Sequence, residues 1–267
     1  MNIKCLSTAS IISVLMLGQA GPAFAQLAAP RCEAKSGVKT AALVELYSSE
    51  GCSSCPPADQ RLSALHREAG ADALIVPLAL HVTYWDQIGW ADRLAQKPFD
   101  ARQAELLSYQ PRHVAYTPQF FVSGSELRGW DTQLPAAIRR INAVTAPVNI
   151  SVSAAGGPDG KLQLAADASA ADGRTGGMLY LALSENALSS TVLRGENQGA
   201  TLHHDAAVRV WLGPVALQQG HASLHRELSI PAGWRRDHLQ VAAFVQQAGG
   251  GAILQAVSTA QCEKGVL

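Results

Sequence analysis

The chain has 267 residues, with 21 Lys plus Arg against 21 Asp plus Glu and a formal net charge of zero. No long block of one sign interrupts that balance, which argues against nucleic acid or an anionic membrane surface as partner. The length suits one large domain or two ordinary ones.

In chain order, Lys4, an apolar core over residues 11–17 and the small-x-small run Ala23-Phe24-Ala25 form a secretory-signal pattern over residues 1–25. The apolar core is too short to span a bilayer well, so no stable membrane insertion is expected after cleavage. The expected location is periplasmic or secreted. Cys5 falls inside this segment, leaving Cys32, Cys52, Cys55 and Cys262. An even count in an oxidising compartment favours two disulfides. Cys52 with Cys55 is the natural pair, so Cys32 and Cys262 are expected to tie the chain ends together. Such a long-loop bridge stabilises by about 2–4 kcal/mol.

Residues 41–47, Ala-Ala-Leu-Val-Glu-Leu-Tyr, read as a buried strand, and residues 57–69 read as a helix with Leu62, Leu65 and Ala69 at helical spacing. Gly-Cys-Ser-Ser-Cys (51–55) lies at their junction. A helix N-terminus favours thiolate over thiol, so this context suits a redox-active dithiol. Cys52 is the expected nucleophile at the exposed helix start, and Cys55 the buried resolving thiol. A structural disulfide and half of a zinc site are the rival readings, although no second Cys-x-x-Cys or ordered Cys/His pair appears. Glu45, the lone acid in the first strand, is either a proton acceptor for Cys55 or a residue on a solvated sheet face.

A second strand follows over residues 73–82, with Pro77 suggesting an edge or a bulge. The aromatic segment 81–90 comes next, in which Tyr84 and Trp85 could line a substrate site or simply pack. His81 could join the two cysteines as a copper ligand, or serve as a hydrogen-bonded structural histidine. Asp100 is a candidate N-cap for a helix to Tyr109. Thr117-Pro118 precedes a third strand over 119–123 and would, if cis, face the dithiol and offer backbone to a substrate peptide. A short strand at 126–129 and a helix over 132–144 close this half. The order β-α-β-α-β-β-α over residues 36–146 predicts a thioredoxin-like α/β domain.

After Ala146-Pro147 the texture changes to short alternating segments separated by turns such as Gly156-Gly157-Pro158-Asp159-Gly160. Strands are expected over 148–153, 161–168, 178–183, 207–212, 222–230, 239–246 and 252–259. This pattern predicts a β-rich, sandwich-like domain over residues 147–262. His203-His204 reads as an exposed loop pair. If the 195–204 segment reaches the dithiol, Glu196, Asn197 and His204 become site candidates.

Residues 44–59, 81–90 and Tyr-Thr-Pro-Gln at 116–119, with Gly-Glu-Asn-Gln-Gly-Ala-Thr-Leu-His-His at 195–204, together resemble the secreted domain of unknown function 1223 family. The resemblance implies export and a thioredoxin-like fold, and it carries no settled activity. Thr83 stands where many relatives are expected to have an acid.

The leading functional reading is an exported thiol–disulfide oxidoreductase with Cys52 and Cys55 catalytic and Thr117, Pro118, Tyr84 and Trp85 at the substrate. Its partners would be protein or small-molecule thiols and disulfides, with no cofactor and no resident metal. The alternatives are a non-catalytic binding protein with a structural Cys52–Cys55 clip, and a copper-handling protein. A conventional hydrolase lacks the strand–Gly-x-Ser-x-Gly–helix unit it would need.

Overall fold

The computed structural model describes residues 31–70, 72–157 and 160–259. The signal-like segment 1–25 and Cys262 lie outside the described residues. The chain runs through β1 (Arg31–Lys35), β2 (Ala42–Ser48), α1 (Pro56–Ala69), β3 (Ile75–His81), α2 (Lys97–Ser108), β4 (Gln119–Val122), β5 (Ser125–Glu126) and α3 (Trp130–Asn142). It continues through β6 (Val148–Gly156), β7 (Leu162–Ala170), β8 (Gly177–Glu185), β9 (Leu188–Thr191), β10 (Thr201–His204), β11 (Ala207–Ala216), β12 (His221–Leu228), β13 (Leu239–Gln247) and β14 (Ile253–Ser258). No helix among the described residues is long and apolar enough to cross a membrane.

The expected α/β thioredoxin-like domain followed by a separate sandwich does not form. Strands from both halves build one eight-stranded mixed sheet in the order β14-β13-β8-β11-β3-β2-β4-β5. The join is made where β11 runs parallel to β3, with Ala207 opposite Ala79 and Ala79 N donating to Ala206 O at 2.9 Å. An apolar strand such as β3 would otherwise leave a row of backbone donors and acceptors unpaired along one edge, and β11 covers part of it. Pro77 falls on that same side, one pair before β11 begins, so its missing N–H interrupts no ladder bond. The edge signal of Pro77 is thus true of the position, although β3 itself is interior.

The large sheet is packed on both faces. On one, α1 and α3 cover Ala42, Val44 and Leu46 of β2 and Phe120 of β4 through Leu62, Leu65, Leu134 and Ile138. Further along the same face, the antiparallel sheet β1-β6-β7-β12 lays Ile150, Val152, Leu162 and Leu164 on Leu179, Leu181, Val241 and Val245. Here β7 alternates buried and open positions along its length, as a strand with one solvated face should. The opposite face carries α2, whose Phe99, Leu106 and Leu107 pack with Leu43, Tyr47, Leu78, Leu80 and Phe244. Each fully buried large apolar side chain contributes about 1.5–3 kcal/mol.

The sheet also curls, because Ile253 N at one end of the strand order donates to Ser123 O near the other at 3.3 Å. Gly124, at φ +86°, makes that approach possible, since a Cβ there would lie 1.7 Å from Gly251 O. Gln255 ties the same seam, with its Oε1 accepting from Ala41 N at 2.9 Å and its Nε2 donating to Gly37 O at 3.0 Å.

Candidate functional site

The strand–Cys-x-x-Cys–helix unit forms. After β2 the chain turns through Cys52 N to Ser49 O at 3.1 Å and Cys55 N to Cys52 O at 3.2 Å, and α1 then starts on Pro56 and Pro57. Two prolines are tolerated there because first-turn N–H groups have no intrahelical acceptor. Cys52 and Cys55 are joined as a disulfide with Cα atoms 5.4 Å apart. Both are buried, at 1% and 0% exposure, and the exposed residues of the loop are Ser53 and Ser54. The expectation of an exposed Cys52 is therefore corrected.

A loop from the second half explains this burial. Residues 192–200, between β9 and β10, form a tight turn held by Gly199 N to Val192 O at 2.8 Å and Val192 N to Ala200 O at 2.9 Å. Asn197 Nδ2 donates to Glu50 O at 2.8 Å and to Cys52 O at 3.0 Å, while Glu196 Oε2 accepts from Ser53 N at 2.9 Å. The Ser53 N–H holds the Glu196 carboxyl below its ordinary value. The aromatic segment closes a third side. A Cβ on Gly89 would meet Gly195 Cα at 3.2 Å, and one on Gly51 would lie 3.7 Å from Trp85 Cβ.

Beside the disulfide loop lies a buried polar cluster formed by Glu50, Asp59 of α1, His81 of β3, Asp92 and His204 of β10, all at 6% exposure or less. His81 Nδ1 is 2.6 Å from Asp92 Oδ2, which also accepts from Glu50 N at 2.9 Å, while Asp92 Oδ1 accepts from Leu94 N at 2.8 Å. His204 Nε2 is 3.5 Å from Glu50 Oε1 and its Nδ1 3.7 Å from Asp59 Oδ2. The two imidazoles meet edge to face, with centroids 4.8 Å apart. Trp90 Nε1 donates to Glu50 Oε2 at 2.7 Å, and Ser48 Oγ to Asp59 Oδ2 at 3.3 Å. Burial opposes charge on His81, yet the Asp92 carboxylate beside it, with Asp59 and Glu50, carries its pKa up to about 9. Burial likewise opposes the Asp92 carboxylate, but His81 and two backbone N–H groups lower it to about 2. Burial raises Asp59, against the pull of both histidines.

The remaining sequence candidates are scattered. Glu45 is fully buried on the α2 face of β2, opposite the face that α1 covers. Its Oε1 accepts from Arg102 Nε at 3.0 Å and its Oε2 from Arg102 Nη2 at 3.3 Å. This carboxylate is therefore not on a solvated sheet face, and it lies on the face opposite α1, whereas a proton acceptor for Cys55 would have to reach that thiol. Thr117–Pro118 is cis, and the pairing of Tyr47 with Gln119 puts Pro118 level with Ser48, where the cysteine loop leaves β2. Tyr84 is exposed, while Trp85 is partly buried against the α2-face core. Asp100 does not cap α2, which starts at Lys97; it accepts instead from Thr83 N and Oγ1. Cys32 is buried on β1 with its Sγ 3.9 Å from Thr259 O.

Glu50, Asp59 and Asp92 join the site from outside the sequence candidates. Asp59 had a weak signal, because it stands three residues before Leu62, at the edge of the apolar stripe of α1. His204 is not the exposed loop residue expected, because alternation on β10 exposes His203 and buries His204. Asp92 had no local signal of its place in the cluster, since it sits in an irregular loop and its His81 and Glu50 partners are 11 and 42 residues away.

The fold and site thus define a curled mixed-sheet protein whose Cys-x-x-Cys disulfide opens a helix beside a sealed imidazole–carboxylate cluster. Residues 43–246 match the family described as "Protein of unknown function (DUF1223)", well over half of the chain, and the chain belongs to it. No curated protein matches significantly. Among solved structures, the chain is similar to a structural-genomics protein from Agrobacterium tumefaciens at 24% identity and a TM-score of 0.60, covering 84% of this chain and 95% of that one. It is also similar to HBP35 of Porphyromonas gingivalis at 19% identity and a TM-score of 0.62, covering 84% and 76%. At these identities the likeness concerns the fold alone.

Proposed function

We propose that Cys52 and Cys55 form a reversible thiol–disulfide exchange centre acting on protein or small-molecule thiols and disulfides in an oxidising compartment outside the cytoplasm. The observation that carries this reading is the disulfide at the N-terminus of α1, where the helix end favours thiolate. In the reductive direction, Cys52 thiolate attacks a substrate disulfide, forming the Cys52–substrate bond and releasing one substrate thiolate that takes up a proton. Cys55 thiolate then attacks Cys52 sulfur and expels the second substrate thiol. Two electrons pass to the substrate, and a dithiol donor must return them; the oxidative direction is the reverse.

Burial of Cys52 adds a requirement, because the Asn197 turn must move before an in-line attack on its sulfur. Thr117–Pro118, level with Ser48, and Trp85, beside Gly51, are the residues best placed to meet a substrate chain that enters there. The export signal over residues 1–25 and a Cys32–Cys262 bridge belong to the same reading. Cys32 supports the bridge by lying near Thr259, three positions before Cys262.

The test is the redox equilibrium of the pair, read by alkylation and mass spectrometry across glutathione buffers with Cys52→Ser as control. Reversible opening between about −120 and −270 mV is the expected result. A pair still closed below roughly −300 mV would make it a structural clip and end the exchange proposal.

A further inference from the structure

We propose that Asp59, His81 and His204 bind a divalent transition-metal ion, with Asp92 and Glu50 as the outer partners that orient the two imidazoles. The three residues come from α1, β3 and β10, and one ligand atom of each lies within 4.8 Å of the others. At zinc bond lengths, tetrahedral ligand atoms stand about 3.4 Å apart. Asp59 Oδ2 and His204 Nδ1, at 3.7 Å, are already close to that spacing.

The ring nitrogens carry the argument. Among the described residues, His81 Nε2 and both ring nitrogens of His204 are buried and have no hydrogen-bond partner. Such orphaned atoms are rare in native interiors and call for an explanation. The other nitrogen of each ring faces a carboxylate: His81 Nδ1 meets Asp92 at 2.6 Å, and His204 Nε2 meets Glu50 Oε1 at 3.5 Å. Those acids are fixed in turn, Asp92 by the backbone N–H groups of Glu50 and Leu94 and Glu50 by Trp90 Nε1. A metal-ligating histidine commonly donates its second N–H to a carboxylate, which sets the tautomer and aims the free nitrogen at the ion. His81 has that arrangement beside Asp59, whereas His204 Nε2 only approaches Glu50 Oε1, at 3.5 Å, without a hydrogen bond.

Charge points the same way. Glu50, Asp59 and Asp92 are three carboxyls sealed beside two imidazoles, and a dication would offset two of three such negative charges. Two nitrogens and an oxygen suit zinc, iron or manganese better than a soft ion such as Cu(I). The ligand set contains no sulfur, because Cys52 and Cys55 are bonded to each other. The alternative copper reading, with Cys52, Cys55 and His81 as ligands, needs the disulfide reduced; this set does not.

The test uses the full chain with its disulfide intact, stripped with a chelator and titrated with Zn(II) against a chromophoric competitor. One equivalent is expected to bind, and Co(II) in its place should give visible d–d bands. His204→Gln and His81→Gln are expected to weaken binding by at least about 100-fold, and Asp92→Asn by about 10–100-fold. His203→Gln, on the exposed neighbour, should leave it unchanged. Should the ligand variants fail to fold, X-ray absorption on zinc-loaded wild type decides, with a nitrogen–oxygen shell expected. No stoichiometric binding by wild type, or sulfur in the shell, overturns the proposal. Replacing both Cys52 and Cys55 by Ser should retain the metal, so loss of the exchange reading and loss of this one are separable.

Discussion

At the scale of single residues, the buried ion pair of Glu45 and Arg102 has a role separate from the cysteines. The Arg102 guanidinium lies over the rings of Tyr180, Trp211 and Phe244, at 5.2, 5.7 and 5.4 Å from their centroids, while it grips Glu45. Removing one partner leaves a buried charge uncompensated, so Arg102→Ala is expected to lower stability by about 3–5 kcal/mol in urea unfolding. Glu45→Gln should leave the pH dependence of thiol exchange unchanged, because its carboxylate faces α2 and not α1. A changed profile would reopen the proton-acceptor role. Glu126 offers a pH-dependent case. Burial opposes its charge, but hydrogen bonds from Gln119 Nε2 at 2.8 Å, Tyr116 OH at 2.7 Å and Arg128 Nε at 3.1 Å lower its carboxyl below the usual value. A depressed carboxyl contributes stability above its unfolded pKa of about 4.3 and loses it as pH falls through the folded value. The stability gap between wild type and Glu126→Gln should therefore narrow as pH is lowered from about 5 towards 3. Because Tyr116 and Gln119 flank Thr117–Pro118, the same step is expected to loosen that turn.

At the scale of elements, local pattern was enough to find the unit that holds the disulfide and not enough to find what covers it. The apolar run of β2, the double proline and the Leu62–Leu65 stripe each act within one segment, so they were readable without the fold. The strands β9 and β10 were not, since Leu188-Ser189-Ser190-Thr191 has little apolar content and gains its structure from pairing with Thr201–His204. Between them runs the turn that seals Cys52. Asn197→Ala removes two hydrogen bonds to the cysteine loop, each worth about 0.5–1.5 kcal/mol. If the turn gates the disulfide, the variant should be reduced by dithiothreitol roughly tenfold faster or more, on that energy. An unchanged rate would mean that Cys52 is reached by another route.

At the scale of the whole molecule, composition and alternation identified many of the strands, but strand existence does not say which edges meet. The pairing of β3 with β11 links residues far apart in sequence, and no periodicity encodes it. That pairing makes the two halves mutually dependent. Without the second half, β3 would lose the strand on its outer edge, and the α2 face would lose Tyr180, Ala182, Val208 and Phe244. The second half, conversely, keeps β8 and β13 for Ile150 and Leu164, but its Tyr180, Ala182 and Phe244 would lose Tyr47, Phe99 and Leu106 from the α2 face. The polar cluster repeats the dependence, because His204 arrives from beyond residue 147 to meet Asp59 and His81. Unfolding of the full chain should accordingly be a single cooperative transition, with far-ultraviolet dichroism and tryptophan fluorescence coincident in urea. A fragment of residues 36–146 should expose apolar surface, bind a hydrophobic dye and melt without a sharp midpoint. Two resolved transitions in the full chain, or a fragment with a sharp transition of its own, would mean that each half carries a self-sufficient core and that the shared sheet forms only after both have folded.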